Sequence, residues 1–181
     1  AAGAAALEDG EPAEPDADLS SLVVELKGRV ACEVQSAHAL VLTELIFEGV
    51  MAPLEPEEVA ALLSAFICQE KAGESLSSAA LSPNLETACA RAQEIALAVG
   101  TAQQSCGLPG DAESFMEQTL NFGLLQVVLE WARGTPFAAI TPLAPRVQEG
   151  SIVRTITRLD NTCREVRAAA RIIGDPQLFK K

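Results

Sequence analysis

The chain has 181 residues, of which 49% are apolar, and 13 Lys and Arg stand against 25 Asp and Glu for a formal charge of −12. That apolar content excludes a disordered chain, and the charge argues against a free-standing nucleic-acid-binding domain, because an acidic surface repels the phosphate backbone. Aromatic residues make up only 4% and tyrosine is absent, while Ala, Leu and Glu are abundant, so the composition predicts an all-α fold.

Ala1 to Asp18 carry six acids, no bases and only Leu7 as a large aliphatic. Such a stretch cannot bury enough surface to offset the entropy of ordering, so residues 1–20 read as a flexible acidic linker ahead of a helical domain over 21–181. Leu22 to Leu26 is short and apolar and is followed by Gly28 as a turn, which fits a strand or the lead-in to the domain. From Ala37 to Phe47 the apolar positions Leu40, Val41, Leu45 and Ile46 recur at helical spacing, and Gly49 marks the end. Pro56 opens the next helix, with Glu57 and Glu58 at the positive end of its dipole and a stripe of Val59, Leu62, Leu63, Phe66 and Ile67. Lys71 to Pro83 is small, polar and rich in serine, hence a loop.

Asn84 is the expected cap of a third helix that reaches Ser105, and Gly107, Pro109 and Gly110 close it. Asp111 caps a fourth, expected to run unbroken through Phe115, Leu120, Leu124, Val127, Val128 and Trp131 to Gly134, with a short turn at Pro136 to Ile140. The last full helix, from Glu149 or Ser151 to Ile173, has the clearest pattern. Ile152, Ile156, Leu159, Cys163, Val166, Ala170 and Ile173 share one face, and Arg154, Arg158, Asn161 and Glu165 fall on the opposite one. Gly174 ends it, and Asp175 with Pro176 begins another. The fold expected is a helical bundle with a long amphipathic C-terminal helix.

Cysteines 32, 68, 89, 106 and 163 are widely and irregularly spaced with no CxxC pair, which fits small buried thiols of an intracellular chain rather than a disulfide scaffold or a zinc site. The Ala-rich start lacks the basic and apolar regions of a signal peptide, and the apolar run Val59 to Cys68 is about half the length a bilayer requires, so no membrane role is expected. There is neither a GxxxxGK[ST] loop nor a GxGxxG turn to cradle phosphates. His38, the single histidine, reads as a surface or capping residue rather than a base. Glu57 and Glu58 diverge around a helix and do not form an acid/base couple.

One cluster carries chemistry. Six arginines between Arg146 and Arg171 meet only Glu149, Asp160 and Glu165, so the last helix is locally basic inside an acidic protein. The stripe Arg154, Arg158, Asn161 is either a solvated polar face or a contact for single-stranded nucleic acid. Guanidinium groups one turn apart pair with phosphates or stack on bases, and an Asn offers a base edge both donor and acceptor.

Five segments taken in order carry a resemblance: LKGRVACEV (26–34), LVLTELIFEGV (40–50), LEPEEVAALLSAFICQE (54–70), LNFGLLQVVLEWARGTPFAAI (120–140) and EGSIVRTITRLDNTCREVRAAARIIGDPQL (149–178). Together they resemble the C-terminal helical domain, often called DSHCT, of DExH RNA helicases that feed the RNA exosome, over residues 20–181. LNFGL followed by EWARG is more similar to the cytoplasmic superkiller helicase than to its nuclear paralogue. The resemblance implies an ATP-dependent helicase of 3′-to-5′ polarity in the cytoplasm, partnered by tetratricopeptide and WD-repeat subunits and threading messenger RNA into the exosome. It implies that ATP and Mg belong to two motor domains outside this chain, which would itself stop before the family's final helix. The last long helix then corresponds to the family's ratchet helix, which crosses the RNA channel. Arg158 matches its RNA-facing arginine, Asn161 stands where the family usually has Glu, and Arg154 lies one turn earlier. The other reading is a structural or protein-interaction bundle without RNA contact, in which the acidic surface docks a basic partner.

Overall fold

A computed structural model describes residues 23–69 and 81–181; the acidic segment 1–20 and residues 71–80 of the loop expected over 71–83 lie outside these, and Pro83, expected as the end of that loop, instead begins a helix. The described residues form helices and turns, with no strand. Val23 to Glu25 are an exposed extended lead-in, and Gly28, expected as a turn, is instead buried inside α1 (Leu26–Ala31). Gly28 has no side chain to project, and Val30, fully buried in the core, supplies the apolar anchor of so short a helix, while Leu26 stays exposed.

Helix α2 (Ala39–Phe47) ends where the pattern predicts, with Gly49 in the left-handed conformation (φ 67°) after it. Helix α3 (Pro56–Ser64) opens on the expected proline but stops before Phe66 and Ile67, the last two residues of its predicted stripe, which lie in the turn that follows. Six of the nine residues of α3 are buried, Glu58 and Ser64 among them, because α3 packs against α4, α6 and α8. A helix enclosed on several sides keeps only a narrow solvent face, here Pro56, Glu57 and Ala60. The Glu58 carboxylate is satisfied there: it accepts from the Glu55 N–H at 2.9 Å and from the Ser82 hydroxyl at 2.5 Å. Ser82 in turn accepts from the Leu85 N–H at 3.1 Å and so caps α4 (Pro83–Ser105). This displaces Asn84, the cap expected from sequence, into the first turn, where its amide reaches the Pro53 carbonyl. Pro83 at the first helical position fits the rule better, since its missing N–H needs no partner there.

The expected unbroken fourth helix is two. Asp111 caps α5 (Ala112–Thr119) through the Ser114 N–H at 2.9 Å, but Leu120 and Asn121 are extended, and a 3₁₀ turn at 122–124 leads into α6 (Leu125–Ala132). The Asn121 side chain accepts from the Gly123 N–H at 3.0 Å and its own N–H donates to the Ala65 carbonyl at 2.7 Å. An Asn offering its backbone such an alternative competes with helix, and here tertiary pairing with Ala65 wins. Beyond it a short α7 (Phe137–Ile140) and a 3₁₀ turn lead to α8 (Glu149–Ile173), which Gly174 ends at φ 79°; Asp175 then caps α9 (Pro176–Lys180).

Helices α4 and α5 meet at Gly100. A Cβ added there would sit 2.9 Å from the Ala112 Cα and 3.0 Å from a Phe115 ring carbon. The nearer clash is with backbone, which cannot swing aside as a flexible side chain would. We expect Gly100→Ala to destabilise the fold by about 1–2 kcal/mol, despite the better helix propensity of alanine. Urea unfolding of the two proteins measures this directly, and an alanine variant as stable as the parent would show that the contact relaxes freely.

Candidate RNA-facing surface

The apolar pattern of α8 orients the helix only approximately. Its buried residues are Ser151, Ile152, Thr155, Leu159, Thr162, Val166, Ala169 and Ala170, whereas Ile156, Cys163 and Ile173 of the predicted stripe are only partly covered. At 100° per residue the centre of burial lies roughly 40° from the centre of the apolar stripe, toward Thr155 and Thr162. The threonines tolerate this because their hydroxyls have partners. Thr155 donates to the Ser151 carbonyl at 3.0 Å and Thr162 shares a 2.7 Å hydrogen bond with Ser36.

Glu165, expected on the solvated face, is an anchor. One of its oxygens accepts from the Gln35 N–H (3.1 Å), the Ser36 N–H (3.0 Å) and the Ser36 hydroxyl (2.7 Å). These bonds tie the segment between α1 and α2 to the middle of α8. The rotation of α8 is thereby held by polar contacts as well as by its core.

That rotation brings Arg158 and Asn161 to one open concavity of about 780 Å³, lined also by Ser36, Phe66, Glu117, Gln118 and Asn121 among others. Arg154 does not line it; its guanidinium donates to the Ser151 hydroxyl of its own helix at 2.9 Å. The three predicted residues are thus divided, two together and one apart. Phe66 was expected only as part of a buried helical stripe, and Gln118 and Asn121 were not singled out from sequence. The only available signal was the Asn-x-Gly spacing at 121–123, which marks a turn but not what it faces.

Most arginines with carboxylates near them are spent on those. Arg91 binds Glu48 and Glu94 at 2.6 Å each, Arg133 binds Glu130 at 2.8 Å, and Arg164 binds Asp160 at 2.9 Å. The Arg91 guanidinium holds the Glu48 carboxyl below its ordinary range, and hydrogen bonds from Thr135 and Arg133 do the same for Glu130. Arg158 is exposed and its side chain makes no ion pair or hydrogen bond among the described residues. Its charge is therefore open to an external anion.

Nearby, His38 does stand at the N-cap of α2, where its carbonyl accepts from the Leu42 N–H at 3.0 Å, but its half-buried side chain makes no cap bond and instead meets Phe115 edge-on at 4.9 Å. Burial lowers its pKa, and its Nδ1 has no partner among the described residues. The thiols also differ from a uniformly buried set, since Cys68 and Cys89 are buried, Cys163 is partly so, and Cys32 and Cys106 are exposed. Burial, with Glu86 adding to it, pushes the Cys89 thiol up to about 12. No group of three His, Cys, Asp or Glu side chains among the described residues is arranged to hold a metal ion, and no described helix is long and apolar enough to cross a membrane.

Fold and site together define an all-helical domain, as far as the described residues go, that presents one cationic helix face beside an amide-rich concavity. The model of the DSHCT (NUC185) domain matches residues 21–181, and the chain belongs to that family. It is 48% identical over 160 residues to DExH-box ATP-dependent RNA helicase DExH11 of Arabidopsis thaliana, covering 88% of this chain and 12% of that protein. Superkiller complex protein 2 of Homo sapiens is 45% identical over 161 residues, covering 87% and 12%. Exosome RNA helicase MTR4 of Homo sapiens is 38% identical over 162 residues, covering 90% and 15%. The chain spans about an eighth of the length of the first two relatives.

Proposed function

We propose that this domain is the C-terminal accessory part of an ATP-dependent, 3′-to-5′ RNA helicase of the superkiller type. Its α8 touches single-stranded RNA as the strand is threaded toward the RNA exosome for decay in the cytoplasm. One observation carries the reading: Arg158 and Asn161 face one open concavity from a single helix, and Arg158 has no carboxylate partner among the described residues. The greater identity to the superkiller relative than to the exosome helicase, 45% against 38%, supports the choice between the two. Arg154 follows as a weaker contact, because its guanidinium already serves Ser151.

On this reading ATP and Mg bind in motor domains of the same polypeptide, against which this module packs; the lack of a phosphate-cradling GxxxxGK[ST] loop in the sequence supports that assignment, and tetratricopeptide and WD-repeat subunits complete the assembly. The acidic total is compatible with RNA contact because the channel is shared among domains and this one contributes a single basic helix face.

Ultraviolet crosslinking of single-stranded RNA to the full-length helicase tests the reading, with crosslinked peptides mapped by mass spectrometry. Crosslinks are expected within Glu149 to Arg167. Reproducible crosslinks confined to the motor domains would make this module a protein-binding scaffold. The exposed Trp131, Phe137 and Leu143 would then be the place to look for its partner.

A further inference from the structure

The concavity beside α8 has chemistry that a backbone contact does not need. Arg158 can only donate hydrogen bonds and Glu117, at the end of α5, can only accept them when ionised. Both line the same recess, yet no ion pair joins them. Two opposite charges that face one space without neutralising each other leave a donor edge and an acceptor edge for a third group. Between these extremes the carboxamides of Gln118 and Asn161 each supply a donor and an acceptor, and the partly buried Phe66 supplies an apolar ring. The recess is of the size of small-molecule clefts in general.

We propose that this concavity receives one unstacked nucleobase of the RNA and that guanine fits it best. The inference rests on the preceding reading, that single-stranded RNA crosses α8. Guanine presents acceptors at O6 and N7, which a guanidinium fork meets with two parallel bonds. Its N1–H and N2 amino group are donors on the neighbouring edge, which a carboxylate accepts together. Adenine offers a donor at N6 where guanine has O6, so one N–H of Arg158 would oppose another donor. Uracil has a single ring N–H for Glu117, and cytosine has no ring N–H and offers it only the N4 amino group, so neither supplies guanine's pair of adjacent donors. Phe66 gives any of the four a surface to stack on and therefore adds affinity without preference.

The test is equilibrium binding of the full-length helicase to short oligouridine strands and to the same strands carrying interspersed guanosines or adenosines. Guanosine strands are expected to bind about five-fold tighter than adenosine strands, the lower end of what one bidentate base contact provides, because the recess is open to water. Glu117→Gln should reduce that ratio to about two-fold or less. Glu117 is exposed and its side chain bonds to no described residue, so the fold does not depend on it. A wild-type ratio of one, or a ratio unchanged in Glu117→Gln, overturns the guanine recess. Arg158→Ala separates the two levels of the argument. If it weakens binding to oligouridine while the wild type shows no guanosine preference, RNA crosses α8 and only the recess is wrong; if it leaves oligouridine binding unchanged, both readings fall.

Discussion

Arg158→Ala in the full-length helicase is expected to weaken the response of ATP hydrolysis to single-stranded RNA about tenfold, read as the RNA concentration for half-maximal stimulation. A hydrogen bond from a charged group contributes roughly 1.5–3 kcal/mol, and the open position of Arg158 places it at the bottom of that range. Its side chain supports nothing else among the described residues, so the loss is not confounded by unfolding. Arg158→Lys should recover part of the affinity, since it keeps the charge but not the planar fork. Arg164→Ala is the matched control. Arg164 is on the same helix but about 120° away from Arg158 and paired with Asp160, so its removal should change the response less than about twofold. Unaltered stimulation in Arg158→Ala would leave α8 as a structural helix.

Glu165→Ala is expected to lower the stability of the domain by about 2 kcal/mol, which for a domain of this size is a fall of roughly 4–8 °C in melting temperature. Three donors from Gln35 and Ser36 converge on one carboxylate oxygen, and all three lose it at once. Partial exposure lets water replace some of those bonds, which is why the figure is not larger. Glu165→Gln keeps an acceptor oxygen without the charge and should cost about half as much. Thermal melting of the three proteins settles the order. Equal melting temperatures would mean that the core alone fixes α8 against the 34–36 segment. The variant also bears on function, because the same bonds hold the rotation that sets Arg158 and Asn161 toward the concavity.

Much of the fold was legible from periodicity and caps. The spans of α2, α4 and α8, the proline at the start of α3 and the stop at Gly174 all follow from local rules, because apolar spacing and left-handed glycines act within a few residues. Asn84 and the 111–134 helix show where such rules stop. At each place two local solutions were nearly equal, and a distant group chose between them: Glu58 drew Ser82 into the capping position, and the Ala65 carbonyl held the Asn121 N–H out of a helix. A propensity of a few tenths of a kcal/mol yields to one such bond.

The candidate site divides in the same way. Composition and spacing, which are properties of the chain, determined that this is a helical domain whose last long helix carries arginines on a face away from the apolar stripe, and the family followed from the resemblance of five ordered segments, which the family match bears out. Only the tertiary structure decided which of those polar residues share a space. Buried Thr155 and Thr162 found hydroxyl and carbonyl partners, so the helix could turn by roughly 40° from its apolar centre. That turn made Glu165 an anchor, left Arg154 outside the concavity, and put Arg158 and Asn161 beside Glu117 and Gln118. Hydrogen bonds between groups far apart in sequence fix that rotation, and no spacing along α8 records them.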